Sequence, residues 1–416
     1  MRDMIVLKRG VEIAPFDNGL KDRLYLLSYN NRNWKVSETV YMVCGLLKDE
    51  LSQLELYNRI NEDSSIQCSL EQVNTIIEFF KSNGLIEGFE DVQGKKKNSM
   101  LWGRITLFPE KILIKLKVMD FIFNKYFFII GTGMIVMWML WIYHYNSSAN
   151  VAYQLTGLQF REMVICYCCI MLFGIIHEFG HVIALLKYGE RPGRIGIGIY
   201  LFMPVFFSEV TKAWKIKRIG RVCVDIGGVY LQALVLMLTF VINMFYIKNK
   251  TLAIAILLSS FQILSNFNPF IKLDGYWFLC DALGITDIHK ALYELFIELF
   301  AGKSKFHFEI RGLSKGKKSF LYGYMILITG FMIYFVKVVL SSTLLALKLF
   351  NQDFIELFMG RINWSSINFS VVLNYISNRV SSIIMLIFAA RIIYILIWKN
   401  VKLISQKTRR QQSETH

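Results

Sequence analysis

Residues 163–188 read MVICYCCIMLFGIIHEFGHVIALLKY, and this stretch decides the fold. It is apolar over more than the roughly 20 residues needed to cross a hydrocarbon core of about 30 Å. Yet it carries His177, Glu178 and His181 well inside its length. Ionisable residues within an apolar span are costly and call for a partner or a function. Histidines at i and i+4 share one helix face, so both imidazoles can reach one metal ion. Glu178 lies between them without being a ligand, placed to take a proton from metal-bound water, whose pKa zinc lowers to about 7.

The rest of the chain agrees with a membrane setting. Of 416 residues, 54% are hydrophobic and only 19% charged, with 33 phenylalanines and a mean hydropathy of +0.42. Such a composition excludes a disordered or purely soluble protein. Residues 1–10 have no apolar core of the signal-peptide kind. Five further apolar stretches are expected spans: 126–145, 222–247, 252–265, 320–345 and 380–398. That at 252–265 is too short to cross. It breaks at Asn266 and Pro269 and is expected to resume as a half-helix over 276–283. Broken helices at membrane depth are tolerated only where protein or a cavity satisfies their backbone.

The net charge of +16 is unevenly spread. Residues 1–94 hold 10 Lys/Arg against 15 Asp/Glu, and the remainder holds 37 against 16. Segments 95–125, 187–221, 290–318 and 399–410 are basic, whereas 145–159 has no Lys or Arg. By the positive-inside rule, a multi-pass protein with both termini cytoplasmic follows. The basic excess is the mark of loops facing anionic lipid rather than nucleic acid. Seven cysteines, an odd number without ligand spacing, give no disulfide framework.

In the N-terminal segment, residues 6–13, 23–29 and 34–36 read as strands, with a turn at Asn30-Asn31-Arg32. A helix is expected after Ser37. Ser52 with Glu55, and Ser69 with Gln72, have capping-box spacing and mark two more helix starts. The third helix would bury Val73, Ile76, Ile77 and Phe80 and stop at Asn83-Gly84, before a β-like stretch at 85–92. The pattern suggests a compact winged helix. Its would-be recognition helix carries Glu71 and Glu78 against one Lys81, which disfavours phosphate contacts, so peptide binding fits better than DNA.

The expected fold is thus a polytopic α-helical membrane protein of about six spans, one of them a broken helix, with an N-terminal α+β winged-helix domain. Residues 1–94 form that cytoplasmic domain, 95–125 a basic linker and interfacial helix, 126–400 the membrane core, and 401–416 a basic cytoplasmic tail.

A catalytic metal needs a third protein ligand and an open position. His144 lies near an external interface, His289 and His307 in a basic loop, and His416 at the terminus. Asp225 stands near the start of the third span, where it could cap the helix. Asp274 is better placed, just after the broken span in Asn266-Phe267-Asn268-Pro269-Phe270-Ile271-Lys272-Leu273-Asp274-Gly275. Its ordinary alternative is a helix N-cap. Gly227-Gly228 reads as a close helix-packing site, with a place along a substrate path as the alternative.

The His-Glu-x-x-His motif together with Asn266, Pro269, Leu273, Asp274 and Gly275 resembles the site-2 protease family of intramembrane zinc peptidases. Segment 196–214, with Met203-Pro204-Val205-Phe206 and Glu209–Trp214, is similar to the membrane-dipping hairpin of its peptide zinc metalloprotease branch. The resemblance implies that His177, His181 and Asp274 bind Zn2+, that Glu178 is the catalytic base, and that Asn266 orients substrate or the developing oxyanion. More weakly, Tyr25-Leu26-Leu27, Trp34–Glu38 and 46–54 are similar to the PqqD-like winged-helix domain of peptide-modification pathways. That implies a leader peptide adding as a strand beside 34–36. Lys48-Asp49-Glu50 departs from that pattern, standing where an Asp-Gly turn is common.

The combined expectation is a bacterial cell-membrane zinc metallopeptidase that matures or releases a ribosomally made modified peptide, with a peptide exporter as a further partner. Cleavage of a membrane-bound regulator is the alternative within the enzyme class. A peptide export or immunity protein that binds peptide without cutting it is the alternative outside that class.

Overall fold

The computed structural model describes residues 4–17, 24–30, 32–47, 51–62, 68–90, 101–148, 159–200, 203–266, 272–285, 287–301 and 313–358. Residues 1–318 form one compact unit and 319–416 another.

The chain opens with β1 (Glu12–Phe16), β2 (Leu24–Tyr29) and β3 (Arg32–Ser37), an antiparallel sheet in that order. Tyr25 pairs with both Pro15 and Val36 across it. Asn30 takes the left-handed conformation (φ 46°) in the expected turn, a role asparagine tolerates better than most residues. Three helices follow: α1 (Glu38–Leu46), entered from Ser37, α2 (Gln53–Glu62) and α3 (Leu70–Ser82). Both expected capping boxes form. Ser52 N donates to Glu55 Oε2 at 2.9 Å, and Gln72 N donates to Ser69 Oγ at 3.2 Å while Ser69 N donates to Gln72 Oε1 at 3.0 Å. Each satisfies backbone donors that a helix start leaves orphaned.

The apolar faces of these elements meet in one core, with Leu27, Val43, Leu47, Leu56, Val73, Phe80 and Leu85 sealed from solvent. Burial pushes the Cys44 thiol up to about 12, so it behaves as a small hydrophobe. The expected strand over 85–92 reduces, among its described residues, to a single bridge between Ile86 and Leu7.

A second sheet was not anticipated. β4 (Leu101–Phe108) pairs with β5 (Ile195–Tyr200), which forms a hairpin with β6 (Met203–Ser208). The hairpin agrees with the expected 196–214 element, whereas β4 lies where a linker was expected. Its register shifts twice, and Gly103 takes a positive φ of 63°. These breaks hid the strand's period-2 pattern. After β4 come the short α4 (Glu110–Leu113) and a 3-10 turn, Ile114–Phe123. Leu113, Ile122 and Phe123 are buried, while Val118 and Phe121 are exposed. The segment is therefore amphipathic.

Three helices are long and apolar enough to cross a membrane among the described residues. They are α5 (Lys125–Ser148), α6 (Phe160–Lys187) and α7 (Arg218–Ile242), the last extended by the π-turn Asn243–Ile247. The Asn243 side chain ties that turn off, donating to Asn249 O at 3.1 Å and accepting from Asn249 N at 3.0 Å. The shorter α8 (Lys250–Asn266) and α9 (Asp274–Leu283) are the two halves of the expected broken segment. Then come α10 (Ile288–Ala301) and α11 (Lys315–Phe358). The expected fifth span, 320–345, falls within α11. The sixth, 380–398, and the 401–416 tail lie outside the described residues.

Glycines set the α6–α7 crossing. A Cβ at Gly180 would run into the Gly227 carbonyl, and one at Gly227 would meet Ala184 Cβ at 2.9 Å. Small residues at these positions let the two backbones approach this closely.

The N-terminal sheet rests on the segment between β6 and α7. Phe16 stacks on Trp214 at 6.0 Å between ring centroids. Lys215 Nζ pairs with Glu12 Oε2 at 2.5 Å, and Asn33 Nδ2 donates to Thr211 O at 3.1 Å.

Candidate metal centre

The two histidines lie on the α6 face that packs against α7, and both are buried. His177 Nε2 and His181 Nε2 stand 3.1 Å apart. Asp274, the first residue of α9, closes the triangle: its Oδ2 lies 2.8 Å from His177 Nε2 and its Oδ1 lies 3.5 Å from His181 Nε2. Residues 97 and 93 positions apart in sequence thus converge because α9 starts where the broken segment resumes. The N-cap of α9 is Leu273, and Asp274 is the first helical residue rather than the cap. Its carboxylate is turned to the imidazoles instead.

One ligand atom from each of these residues lies within 4.8 Å of the others. A tetrahedral zinc with bonds of about 2.0–2.1 Å holds its ligand atoms about 3.3 Å apart. The donor set fits: two imidazoles and a carboxylate, contributed by two helices, are a borderline-soft N/O set suited to zinc.

Both Nδ1 atoms are already engaged. His181 Nδ1 donates to the Val224 carbonyl at 2.7 Å, and His177 Nδ1 donates to Gln232 Oε1 at 3.0 Å. With the protons held at Nδ1, each Nε2 presents its lone pair toward the other and toward Asp274. Gly228 keeps the space in front of them clear. A Cβ there would lie 2.7 Å from His177 Nε2 and nearer still to His181 Nε2. Of the two expected roles of Gly227-Gly228, Gly227 serves packing and Gly228 borders the cluster.

Glu178 is half-buried on the turn between the histidines. Asn266 ends α8 and is half-buried, and no hydrogen bond joins it to the cluster among the described residues. His289 is half-buried on α10 rather than in a loop, and its ring lies tilted against Tyr276 at 4.6 Å between centroids. His307 and His416 lie outside the described residues. Asp225 does not cap α7: the helix begins at Arg218, two turns earlier. The Asp225 Oδ2 is buried without a hydrogen-bond partner among the described residues.

Sequence reading missed the supports of this centre. Arg221, buried in α7, donates from Nε to Asp281 Oδ1 on α9 at 2.8 Å. It also donates to Ile216 O at 3.0 Å and to Asp17 O beside β1 at 2.7 Å. One guanidinium therefore joins α7, the helix that begins with Asp274, and the N-terminal sheet. Just before α9, Lys272 pairs with Asp287 at 2.8 Å, and Asp287 also accepts from Tyr276 Oη at 2.7 Å. The available signal was Arg221 and Gln232 standing in the largely apolar α7.

The fold and site thus define a largely helical chain with three apolar helices of membrane-spanning length and a buried His/His/Asp cluster of metal-ligand geometry. No family model matches the chain, and no solved structure matches it. Among curated proteins it is similar to "Putative peptide zinc metalloprotease protein YydH" of Bacillus subtilis (strain 168). The two are 22% identical over 210 residues, covering 49% of this chain and 81% of the relative. That likeness supports a zinc metalloprotease reading of the chain.

Proposed function

We propose that this protein is an intramembrane zinc metallopeptidase of the site-2 protease type. The observation that carries the reading is the convergence of His177, His181 and Asp274 on one point within the helix bundle, with Glu178 between the two histidines. His177 and His181 through Nε2, and Asp274 through a carboxylate oxygen, are the residues that would hold the metal. A bound zinc supplies Lewis-acid polarisation of a carbonyl and lowers the pKa of water.

This chain's own residues supply the rest. The Glu178 carboxylate accepts a proton from the attacking water and returns it to the leaving amine nitrogen. The α7 acceptors at Val224 and Gln232 hold the imidazoles with their Nε2 atoms free. Gly228 leaves room for a peptide to approach, and the helices around the site limit access of bulk water. Asn266 is the proposed donor to the substrate carbonyl.

Residues 1–94 are proposed as a cytoplasmic, PqqD-like winged-helix domain that takes a leader peptide, with a ribosomally made modified peptide as substrate and an exporter downstream. Multi-pass insertion in a bacterial cell membrane, both termini cytoplasmic, belongs to the same proposal. It is supported by the basic segments 187–221 and 290–318 and by the three apolar helices.

The test compares peptide termini in membranes of cells making the wild type or Glu178→Gln. A terminus present with wild type and reduced at least about 100-fold in the variant is the expected result, since general acid–base groups contribute about 10²–10⁴-fold. Both proteins should retain metal. No Glu178-dependent terminus, with metal retained, would leave a peptide binder. Cleavage unchanged after deletion of residues 1–94 would end the leader-docking part of the proposal.

A further inference from the structure

We infer that Gln232 is a positioning residue that sets the tautomer of His177, and through it the affinity of the centre for its metal. The inference rests on the metallopeptidase reading and extends it to a residue outside the ligand set.

The geometry is a ladder. On α7, Val224, Gly228 and Gln232 follow at intervals of four, along one face. That face runs antiparallel to the pair His177 and His181 on α6. His181 Nδ1 meets the Val224 carbonyl at 2.7 Å, and His177 Nδ1 meets Gln232 Oε1 at 3.0 Å. Gly228 lies between the two rungs, against both Nε2 atoms.

The rungs differ in kind. A backbone carbonyl can only accept, so the upper rung is fixed by the fold. The lower rung depends on one side chain. An acceptor at this place holds the proton on His177 Nδ1 and leaves Nε2 free for the metal. Without it, the neutral ring is released to the other tautomer, whose Nε2–H blocks coordination.

Packing gives no reason for an amide here. Gln232 is 1% exposed, and its Nε2 is buried with no hydrogen-bond partner among the described residues. A buried unpaired donor costs about 1–3 kcal/mol, which an apolar side chain of similar shape avoids. The amide is therefore accounted for by what its oxygen does. Hydrogen-bond partners of ligating histidines affect metal affinity by about 10–100-fold.

The experiment uses the full-length protein in detergent, with zinc affinity measured by competition against a chromophoric chelator. Gln232→Met keeps the volume and removes the acceptor, and should bind zinc about 10–100-fold more weakly. Gln232→Glu keeps an acceptor and should stay within threefold of wild type or bind more tightly. If Gln232 only filled space, the order would reverse, because a buried carboxylate disturbs packing more than a thioether. Proton-coupled 15N spectra of zinc-loaded, histidine-labelled protein give a second readout: the His177 Nδ1–H signal should be present in wild type and Gln232→Glu. Equal affinity of wild type and Gln232→Met would overturn the inference while leaving the metal centre standing, as would equal losses in both variants. A wild type that binds no zinc would overturn both.

Discussion

The N-terminal layer and the α6–α7–α9 bundle bury side chains for different ends. Around β1–β3 and α1–α3 the interior is built from Leu27, Leu47, Leu56, Phe80 and their neighbours. Among the described residues the one buried polar side chain there is Asn83. Between α6 and α7 the interior holds His177, His181, Arg221 and Gln232, and glycines bring the backbones into contact. The first region is stabilised by apolar area and can absorb small changes of shape. The second is specified by hydrogen-bond geometry and by space that must stay clear. Substitutions should therefore separate the two regions by what they damage, stability in one and metal binding in the other.

The largest contrast is expected from Gly228→Ala. One methyl group placed against both Nε2 atoms should abolish metal binding, read as loss of bound zinc in folded protein. Retention of zinc at wild-type affinity would break the comparison.

Phe80→Ala is the reciprocal change. Removing a fully buried ring should cost about 3–5 kcal/mol of local stability, read by hydrogen exchange over α1–α3, with zinc content unchanged. Lost zinc in that variant would mean that the two regions are not separable.

Arg221→Met tests the joint between them. The pair it breaks is buried on the arginine side but leaves Asp281 21% exposed. The cost should therefore be about 2–3 kcal/mol, below the full penalty for a broken buried pair. Increased exchange is expected both in α9 and in β1. An effect confined to one of them would show that Arg221 does not link them.

The smallest effect belongs to Glu12. Its pairing with Lys215 holds the carboxylate below its ordinary 4.5. A lowered folded pKa stabilises the contact above about 4.5, and this contribution is lost as pH falls through the folded value. The pair is solvent-exposed, so Glu12→Gln should cost well under 1 kcal/mol at pH 7. Wild type and variant should converge in acid. A difference that persists there would assign the effect to something other than charge.

Much of this arrangement was legible in the chain. Ser37, the two capping boxes and Asn83-Gly84 marked the N-terminal helices because caps are local chemistry. The apolar runs marked α5–α7, and Asn266 with Pro269 marked the break between α8 and α9. The His-Glu-x-x-His spacing and Asp274 named the cluster, because helical periodicity fixes which side chains share a face. What escaped was non-local. The β4 strand is visible only once its partner β5, some 90 residues on, supplies the register. Val224 contributes through its carbonyl, which every residue possesses. Gln232 and Arg221 acquire meaning only from the helices packed against them.

The central claim is that His177, His181 and Asp274 form a zinc site, and metal analysis tests it most directly. Detergent-purified wild type would be compared with the His177→Ala/His181→Ala/Asp274→Ala variant, both shown to be folded. About one zinc per chain in wild type, absent from the variant, is the expected result. A folded wild type that takes up no metal even after zinc reconstitution would contradict the claim and leave the three residues as a structural polar cluster.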